Sequence, residues 1–435
     1  MKTQEKVVRA EDSLEGAARL RSPSRSADKR IGYLIPEFPG QTHNFFWRES
    51  QALKEIGLET VLISTRKPPK EIMSASWAEQ AQKRTTYLLP LSWSEIIQVL
   101  TVVLSAGPRA WLMCTKMVLD ASDMTSRQKL RLILLIPFAA KLVWLSQEQD
   151  WSHIHVHSCA DAANIAMLAT SLSKSRLTYS LTLHNPLCVY GPNQAQKWGF
   201  SKFAVVITQK IYQEVVSSLR NCLPQKIEVC PMGVDLASFR RDLTYAPYDG
   251  SDAFRVFSCG RLNPCKGYEY LIRSISLLRS QGLNVRLEIA GEDEQGGAGY
   301  RQELERLIGD LDLQDSVTLL GAVSEEAVKQ GLKKAHVFVL ASLEEPLGVA
   351  TMEAMAMNVP VVVTNGGGVS ELVDDGQNGI LVPPENSDAI AQALLRISKN
   401  QRLAIELGQA AREKVVQSFS YRRSAQAIAS MLEQA

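Results

Sequence analysis

The chain has no metal-type or redox-type cysteine pattern. Its seven cysteines contain no C-x-x-C pair, and an odd number scattered over 435 residues argues against a disulfide framework. It has no strong excess of either charge. A net charge of +2 gives no global attraction to nucleic acid and leaves only a local basic site to consider. No apolar h-region follows the first residues, so no secretory signal is expected, and with the cysteine usage this predicts a reducing cytoplasm. Long apolar runs are short or interrupted. The stretch 132–145 is broken by Pro137 and Lys141 and falls below the roughly 20 residues that a bilayer crossing needs. Neither G-x-G-x-x-G nor a glycine loop ending in G-K-[ST] occurs at the glycine-rich turns, which disfavours a nicotinamide dinucleotide and a Walker loop.

What is present is a chain of ordinary globular composition, 45% hydrophobic and 22% charged, long enough for two or three domains. Residues 1–30 are polar, without periodicity, and read as a disordered tail. A buried strand at 31–36, a turn at 40–43, a helix at 44–56 and a strand at 60–64 make a βαβ opening, so a parallel sheet is expected. Helices fill most of 94–148, and strands return at 153–156, 177–184, 204–208 and 227–229. After a linker at 242–251 a second α/β series has strands at 255–258, 286–290, 316–320, 337–340, 359–364 and 379–382, followed by closing helices. The pattern predicts an α/β protein of two Rossmann-like domains, 31–240 and 241–415, facing each other across a cleft. Within the first, 96–104 and 112–119 are unusually apolar, with Trp93, Trp111, Trp144, Arg109, Lys116, Arg127, Lys129 and Arg131 nearby. Two readings stand for this region: helices lying on an anionic membrane surface, or packed core helices with solvated basic ends.

The chemistry-bearing residues gather at expected strand ends. Glu345 and Glu353 form an E-x7-E pair across a Pro/Gly loop, after the strand at 337–340 and in the first turn of the next helix. Two acceptors at a carboxyl-edge crevice suit a hydroxyl-rich ligand such as a sugar and a ribose. Arg261 and Lys266 lie in the loop Gly260-Arg261-Leu262-Asn263-Pro264-Cys265-Lys266-Gly267, between a strand and a helix N-terminus, which is an arrangement for a diphosphate. Gly366, Gly367 and Gly368 precede another helix start and would let backbone approach a ligand. His184 ends a strand of the first half and is expected to face the cleft. His155 and His157 share one strand face, but no third metal ligand is apparent from order alone, and Asp310 and Asp312 read as turn residues; no metal is expected.

Taken in order, Gly260-Arg261…Lys266-Gly267, Ile289-Ala290-Gly291, Val317 to Gly321, Glu345…Glu353-Ala354-Met355-Ala356 and Gly379 to Pro383 resemble the family 4 glycosyltransferases of the GT-B fold. Pro231-Met232-Gly233-Val234-Asp235 is similar to that family's inter-domain segment, and 40–47 and 155–184 resemble its bacterial exopolysaccharide members of the colanic-acid type. The resemblance implies a retaining, metal-independent hexosyl transfer from a nucleotide-sugar to a glycan or lipid-linked acceptor, with no cofactor. It also implies a C-terminal helix, 416–435, that returns to the N-terminal domain. By motif position it implies that Arg261 and Lys266 hold the donor diphosphate, that Glu353 accepts from the ribose and Glu345 from the sugar. Backbone N–H groups of Leu347, Gly348 and Val349 would reach sugar and phosphate, His184 would face the donor, and Gly40, Gln41 and Thr42 would cover its phosphates. Pro346-Leu347-Gly348 departs from the family's Gly-Phe-Gly, and Asn185-Pro186 from its acidic pair after the histidine. Two other readings remain open: a nucleotide-sugar epimerase of the same fold, and a non-catalytic membrane-associated partner in a polysaccharide assembly complex.

Overall fold

The computed structural model describes residues 29–40, 43–68, 77–293 and 299–434. The expected polar tail lies outside these up to residue 28, while Lys29 and Arg30 open the first strand. Seven strands form the first sheet: β1 (Lys29–Glu37), β2 (Leu58–Arg66), β3 (Thr86–Tyr87), β4 (His153–Val156), β5 (Thr178–Leu183), β6 (Ala204–Val206) and β7 (Ile227–Val229). Their spatial order is β3-β2-β1-β4-β5-β6-β7, with every pair parallel. Six strands form the second: β8 (Phe254–Cys259), β9 (Val285–Ala290), β10 (Val317–Gly321), β11 (Val337–Leu340), β12 (Val361–Thr364) and β13 (Ile380–Val382). Their order is β10-β9-β8-β11-β12-β13, again parallel throughout. Helices cover both faces of such sheets, so central strands read as unbroken apolar runs. Val337–Leu340 and Val361–Thr364 are buried at every position.

The helices of the first half are α1 (Asn44–Glu55), α2 (Ala78–Arg84), α3 (Trp93–Ser105), α4 (Gly107–Asp120), α5 (Ser126–Leu134), α6 (Ile136–Glu148), α7 (Asp161–Leu172), α8 (Gln194–Gly199) and α9 (Gln209–Leu219). The alanine-rich α7 buries ten of its twelve residues, because it lies between the sheet and α6. Four consecutive helices, α3 to α6, are inserted between β3 and β4. Capping boxes at Ser92/Glu95 and Thr125/Gln128 start α3 and α5, satisfying N–H groups that the first turn leaves unpaired. The sequence judged the apolar run here too short for a bilayer. The helical run 126–148 is 23 residues long and apolar enough to cross one, but half of it is buried, and α6 packs on α3 and α7 as a core helix.

The second half carries α10 (Tyr268–Ser280), α11 (Tyr300–Asp310), α12 (Glu325–Lys334), α13 (Val349–Ala356), α14 (Ser387–Ser398), α15 (Gln401–Ser418) and α16 (Tyr421–Gln434). The chain passes between the halves twice, and the crossings lie side by side. Val234 N–H donates to Phe419 O at 2.9 Å, and a Cβ on Gly233 would sit 2.2 Å from Ser420 C, so the close approach needs glycine. After the second crossing, α16 returns to the N-terminal half and packs on α1, placing Ala425, Ile428 and Met431 in one buried cluster with Phe46 and Leu53.

Candidate functional site

In each sheet the strand order reverses at one point, between β1 and β4 in the first and between β8 and β11 in the second. Ligands of open α/β sheets bind in the crevice beyond the carboxyl ends of the strands at such points. The segments at these points carry most of the residues singled out in the sequence: Gly260–Gly267 after β8, 341–348 after β11, and 38–40 with His43 after β1.

The β8 loop is held by local chemistry. Asn263 Oδ1 accepts from Cys265 N–H at 3.0 Å, a short turn spans Pro264–Lys266, and Gly267 takes φ +58° before α10. Leu343 N–H donates to Cys265 O at 2.8 Å, tying this loop to the one after β11. Across that seam Lys266 Nζ lies 2.5 Å from Glu345 Oε2, which also accepts from Ser342 Oγ at 3.1 Å. The sequence assigned Lys266 to a diphosphate and Glu345 to a sugar hydroxyl as separate groups. The structure places them as one ion pair, with Glu345 only 8% exposed. A Cβ built on Gly260 would stand 3.9 Å from Lys266 Cε, so the pair borders the loop that carries Arg261.

The three glycines at 366–368 were expected to let backbone approach a ligand. In the structure they pack against the β11 loop. Cβ atoms there would meet Leu343 O at 2.3 Å, Glu345 O at 2.1 Å and Pro346 O at 2.2 Å. Glu345 N–H donates to Gly366 O and Gly368 N–H to Glu345 O, at 3.1 and 2.9 Å. The glycines therefore fix the position of Glu345.

Gly348, at φ +94°, opens α13, whose first N–H groups have no partner within the helix. Leu347 is buried as a core side chain. Glu353 is the fifth residue of α13, so it stands in the second turn, not in the first as the spacing suggested. Its carboxyl is pushed up to about 8 by burial, with Glu325 adding to the effect and the charges of Arg48 and Lys329 opposing it. At neutral pH this group is largely a carboxylic acid able to donate as well as accept.

Arg261 and Glu353 share a cleft pocket of about 150 Å³ with Gly260, Gly291, Val349 and Ala350 from one domain and Asn44, Phe45 and Trp77 from the other. Gly40 does not line it; its carbonyl accepts from His43 N–H at 3.1 Å, one residue before the lining Asn44. Burial, then the nearby Arg261 charge, lowers His43 to about 4. Gln41 and Thr42 lie outside the described residues.

His184 is not brought to the pocket wall. Its ring nitrogens are engaged by His157 Nδ1 and Met232 Sδ, both at 3.1 Å, and it packs 5.2 Å from Phe45, which does line the pocket. Burial, then the neighbouring His157, lowers it to about 3, so it is neutral. Behind it the structure supplies what the H-x-H motif lacked: Glu49 of α1 comes within ligand distance of His155 and His157, their candidate donor atoms lying within 4.8 Å of one another. Yet His155 is already satisfied on both nitrogens by Ser180 Oγ at 2.7 Å and Thr182 Oγ1 at 2.8 Å, and Glu49 accepts from Tyr33 OH at 2.6 Å. The cluster is a largely hydrogen-bonded polar core of the first sheet, in which His157 Nε2 stands 3.2 Å from Glu49 Oε1 without a hydrogen bond.

The groups the sequence did not reveal are those that join the domains. Glu325 at the start of α12 receives Arg48 Nη2 at 2.9 Å, Asn44 Nδ2 at 2.6 Å, Ser238 Oγ at 3.0 Å and Lys329 Nζ at 2.8 Å. Burial alone would raise its carboxyl, but Arg48 and Lys329 hold it below the usual value. Elsewhere along the cleft Glu371 accepts from Gln209 N–H at 2.7 Å and Lys210 N–H at 2.9 Å, capping α9 from the opposite domain. On helices with ordinary charged faces, nothing local distinguishes these residues from solvated ones. The pocket is smaller than the roughly 300–1,000 Å³ usual for small-molecule sites. A ligand of nucleotide-sugar size therefore requires the two clamps to loosen or the domains to part.

Comparison with known proteins finds a family match for the second half of the chain. Residues 250–414 match the family described as "Glycosyl transferases group 1". WcaL of Salmonella typhimurium, whose name places it in colanic acid biosynthesis, is 34% identical over 219 residues, 49% of this chain and 52% of that protein. The amylovoran biosynthesis glycosyltransferase AmsK of Erwinia amylovora is 32% identical over 221 residues, again 49% and 52%. The matches thus span about half the length of these curated relatives. The fold as a whole is that of Anabaena Alr3699/HepE, solved in complex with UDP-glucose, with a TM-score of 0.69 at 19% identity over 93% of this chain and 100% of that one.

Proposed function

We propose that this chain, whose residues 250–414 match the group 1 glycosyltransferases and whose fold is that of Alr3699/HepE, carries out retaining transfer of a hexosyl group from a nucleotide-sugar to a glycan or lipid-linked acceptor in exopolysaccharide synthesis. The observation that carries this reading is the convergence at one switch point of a guanidinium, a lysine–glutamate pair, a helix N-terminus and a largely protonated carboxyl. Each suits one part of such a donor. Arg261 and the N–H groups that open α13 meet the diphosphate, and Lys266 bridges Glu345 and phosphate. Glu353 meets the ribose diol, and Glu345, held by Lys266 and the glycine loop, meets a sugar hydroxyl.

As the glycosidic bond breaks, negative charge grows on the leaving diphosphate. Fixed cations and N–H dipoles aimed there stabilise the transition state more than the ground state. In this reading Arg261 and Lys266 do that without a metal ion. Neither Glu345 nor Glu353 is placed as a nucleophile, because one is neutralised by Lys266 and the other is largely protonated. We therefore assign the retained stereochemistry to attack from the face that the leaving group vacates. His184 acts in this account from behind Phe45, as part of the wall that supports the donor pocket.

The test is a panel of nucleotide-sugars, beginning with UDP-glucose, scored by thermal shift and then by hydrolysis and transfer. Stabilisation by one donor class and release of the nucleotide, accelerated by acceptor, is the expected result. Conversion of the sugar without release of nucleotide would assign the epimerase reading instead. No stabilisation by any donor would overturn the proposal.

A further inference from the structure

Nine of the fifteen large hydrophobic side chains exposed among the described residues fall between positions 93 and 134, on three consecutive helices of the β3–β4 insertion. On α3 they are Trp93, Ile97, Leu100 and Leu104, spaced four, three and four apart, so they form one stripe along the helix. Trp93 is 86% and Leu104 81% exposed, while Val99 and Val102 on the other side are buried in the core. On α4, Leu112 and Leu119 are 71% and 67% exposed and alternate with exposed Arg109 and Lys116. On α5, Leu130, Ile133 and Leu134 point outward beside exposed Arg127 and Arg131. The three helices are joined by contacts of their own, Trp111 Nε1 to Val103 O at 3.2 Å and Lys129 Nζ to Leu119 O at 2.9 Å.

Of the acids in this region, Asp120 is exposed at the end of α4 beside Leu119, and the others are engaged. Glu95 pairs with the buried Lys141 at 2.5 Å, Asp123 accepts from Asn193 N–H at 2.7 Å, and Asp161 pairs with Arg131. The free face is therefore apolar with interleaved cations. We propose that α3, α4 and α5 form a docking surface for an anionic phospholipid leaflet. The apolar stripes enter the boundary between headgroups and acyl chains, and Arg109, Lys116 and Arg127 meet lipid phosphates. A helix of a protein partner would be matched by one groove. Here the apolar residues are spread over three helices, with cations among them on α4 and α5, a pattern that suits an extended anionic surface.

The surface runs to the cleft side of its domain. Arg131 pairs with Asp161, which opens α7 directly after the carboxyl end of β4, and Asp123 holds the segment that follows His184 and the end of β5. This deepens the transferase reading and rests on it for one consequence: the acceptor is carried by a lipid, presented at the rim of the N-terminal domain.

The experiment is sedimentation of the full chain with vesicles of phosphatidylcholine alone and with one third phosphatidylglycerol, alongside nucleotide-sugar hydrolysis measured without lipid. Preferential binding to the anionic vesicles, weakening with salt, is expected. Arg109→Gln with Lys116→Gln should weaken it about 25-fold, at roughly fivefold per cation. Leu100→Ser with Leu104→Ser should weaken it at least as much while leaving lipid-free hydrolysis unchanged. Equal or absent binding to both vesicle types, or wild-type binding by both variants, would overturn the proposal. So would a lipid-free dimer that the serine variant dissolves, because that would assign the stripes to a second copy. Lipid-free hydrolysis reads the donor site alone, so its failure would count against the transferase reading and not against the docking surface.

Discussion

Replacing Lys266 by methionine separates two roles that the structure assigns to one side chain. Glu345 is 8% exposed and would keep only Ser342 Oγ, at 3.1 Å, as a side-chain partner from the present pair of contacts. Removing one member of a buried ion pair costs about 3–5 kcal/mol, mainly through the charge left behind. The lysine and glutamate side chains retain 19% and 11% exposure, which places the expected loss near the lower end, about 3 kcal/mol. For a domain of this size that lowers Tm by about 6–12 °C. Glu345→Gln should cost less, about 1–2 kcal/mol, because the stranded ammonium reaches water more easily. The double variant should return to within about 1 kcal/mol of wild type, since replacing both charges by neutral groups of similar shape removes the penalty with the attraction. Calorimetry on the four proteins gives the coupling directly. Repeating it with UDP adds the functional axis: at a hundredfold excess over Kd the nucleotide stabilises by about 2.7 kcal/mol. If Lys266 also meets phosphate, the double variant regains its Tm but loses most of that increment. A Lys266→Met protein within 1 kcal/mol of wild type would refute the ion-pair argument.

Arg261→Ala should lower turnover at saturating donor by about 10²–10³-fold, the range for removing one transition-state donor, and an unchanged kcat would remove Arg261 from the mechanism. Glu353 binds a proton up to about pH 8 in the unliganded protein. Donation from a ribose diol lowers that value, so binding releases a proton, and nucleoside diphosphate affinity should rise with pH and level off near 8. Calorimetric titration should find the slope abolished in Glu353→Gln. The same group holds its proton in the folded chain over a range where the unfolded chain, with a value of 4.5, has lost it. The wild type should therefore lose stability as pH rises from about 4.5 to 8 relative to Glu353→Gln, with the opposite trend in Tm counting against the burial argument. Glu325→Gln weakens the contacts from Arg48, Asn44, Ser238 and Lys329. Small-angle scattering should show a larger radius of gyration, and the pH midpoint of nucleotide binding should move down, because Glu325 helps to raise Glu353. Unchanged scattering would show that the clamp does not hold the domains.

Some features of this protein are local in origin, and these were legible before any coordinates. The strand Val337–Leu340 has the bounds that its sequence predicts, because a short apolar run between turn residues specifies extended backbone where it is buried. The chain's division into two parallel α/β series, and the placing of Arg261, Lys266 and Glu345 in loops that follow strands, come from the same local signals. Other features depend on which strands become neighbours, and no local signal carries that. Lys266 meets Glu345 across 79 residues because β8 and β11 are adjacent at the switch point. Glu49 joins His157, and Arg48 reaches Glu325, because α1 lies over the first sheet and faces α12 across the cleft. The glycines at 366–368 pack on the Glu345 loop for the same topological reason. Burial is also a property of the assembled molecule. It makes Glu353 a weak acid near 8 and leaves Trp93 and Leu104 facing outward, and composition, which counts residues without placing them, specifies neither.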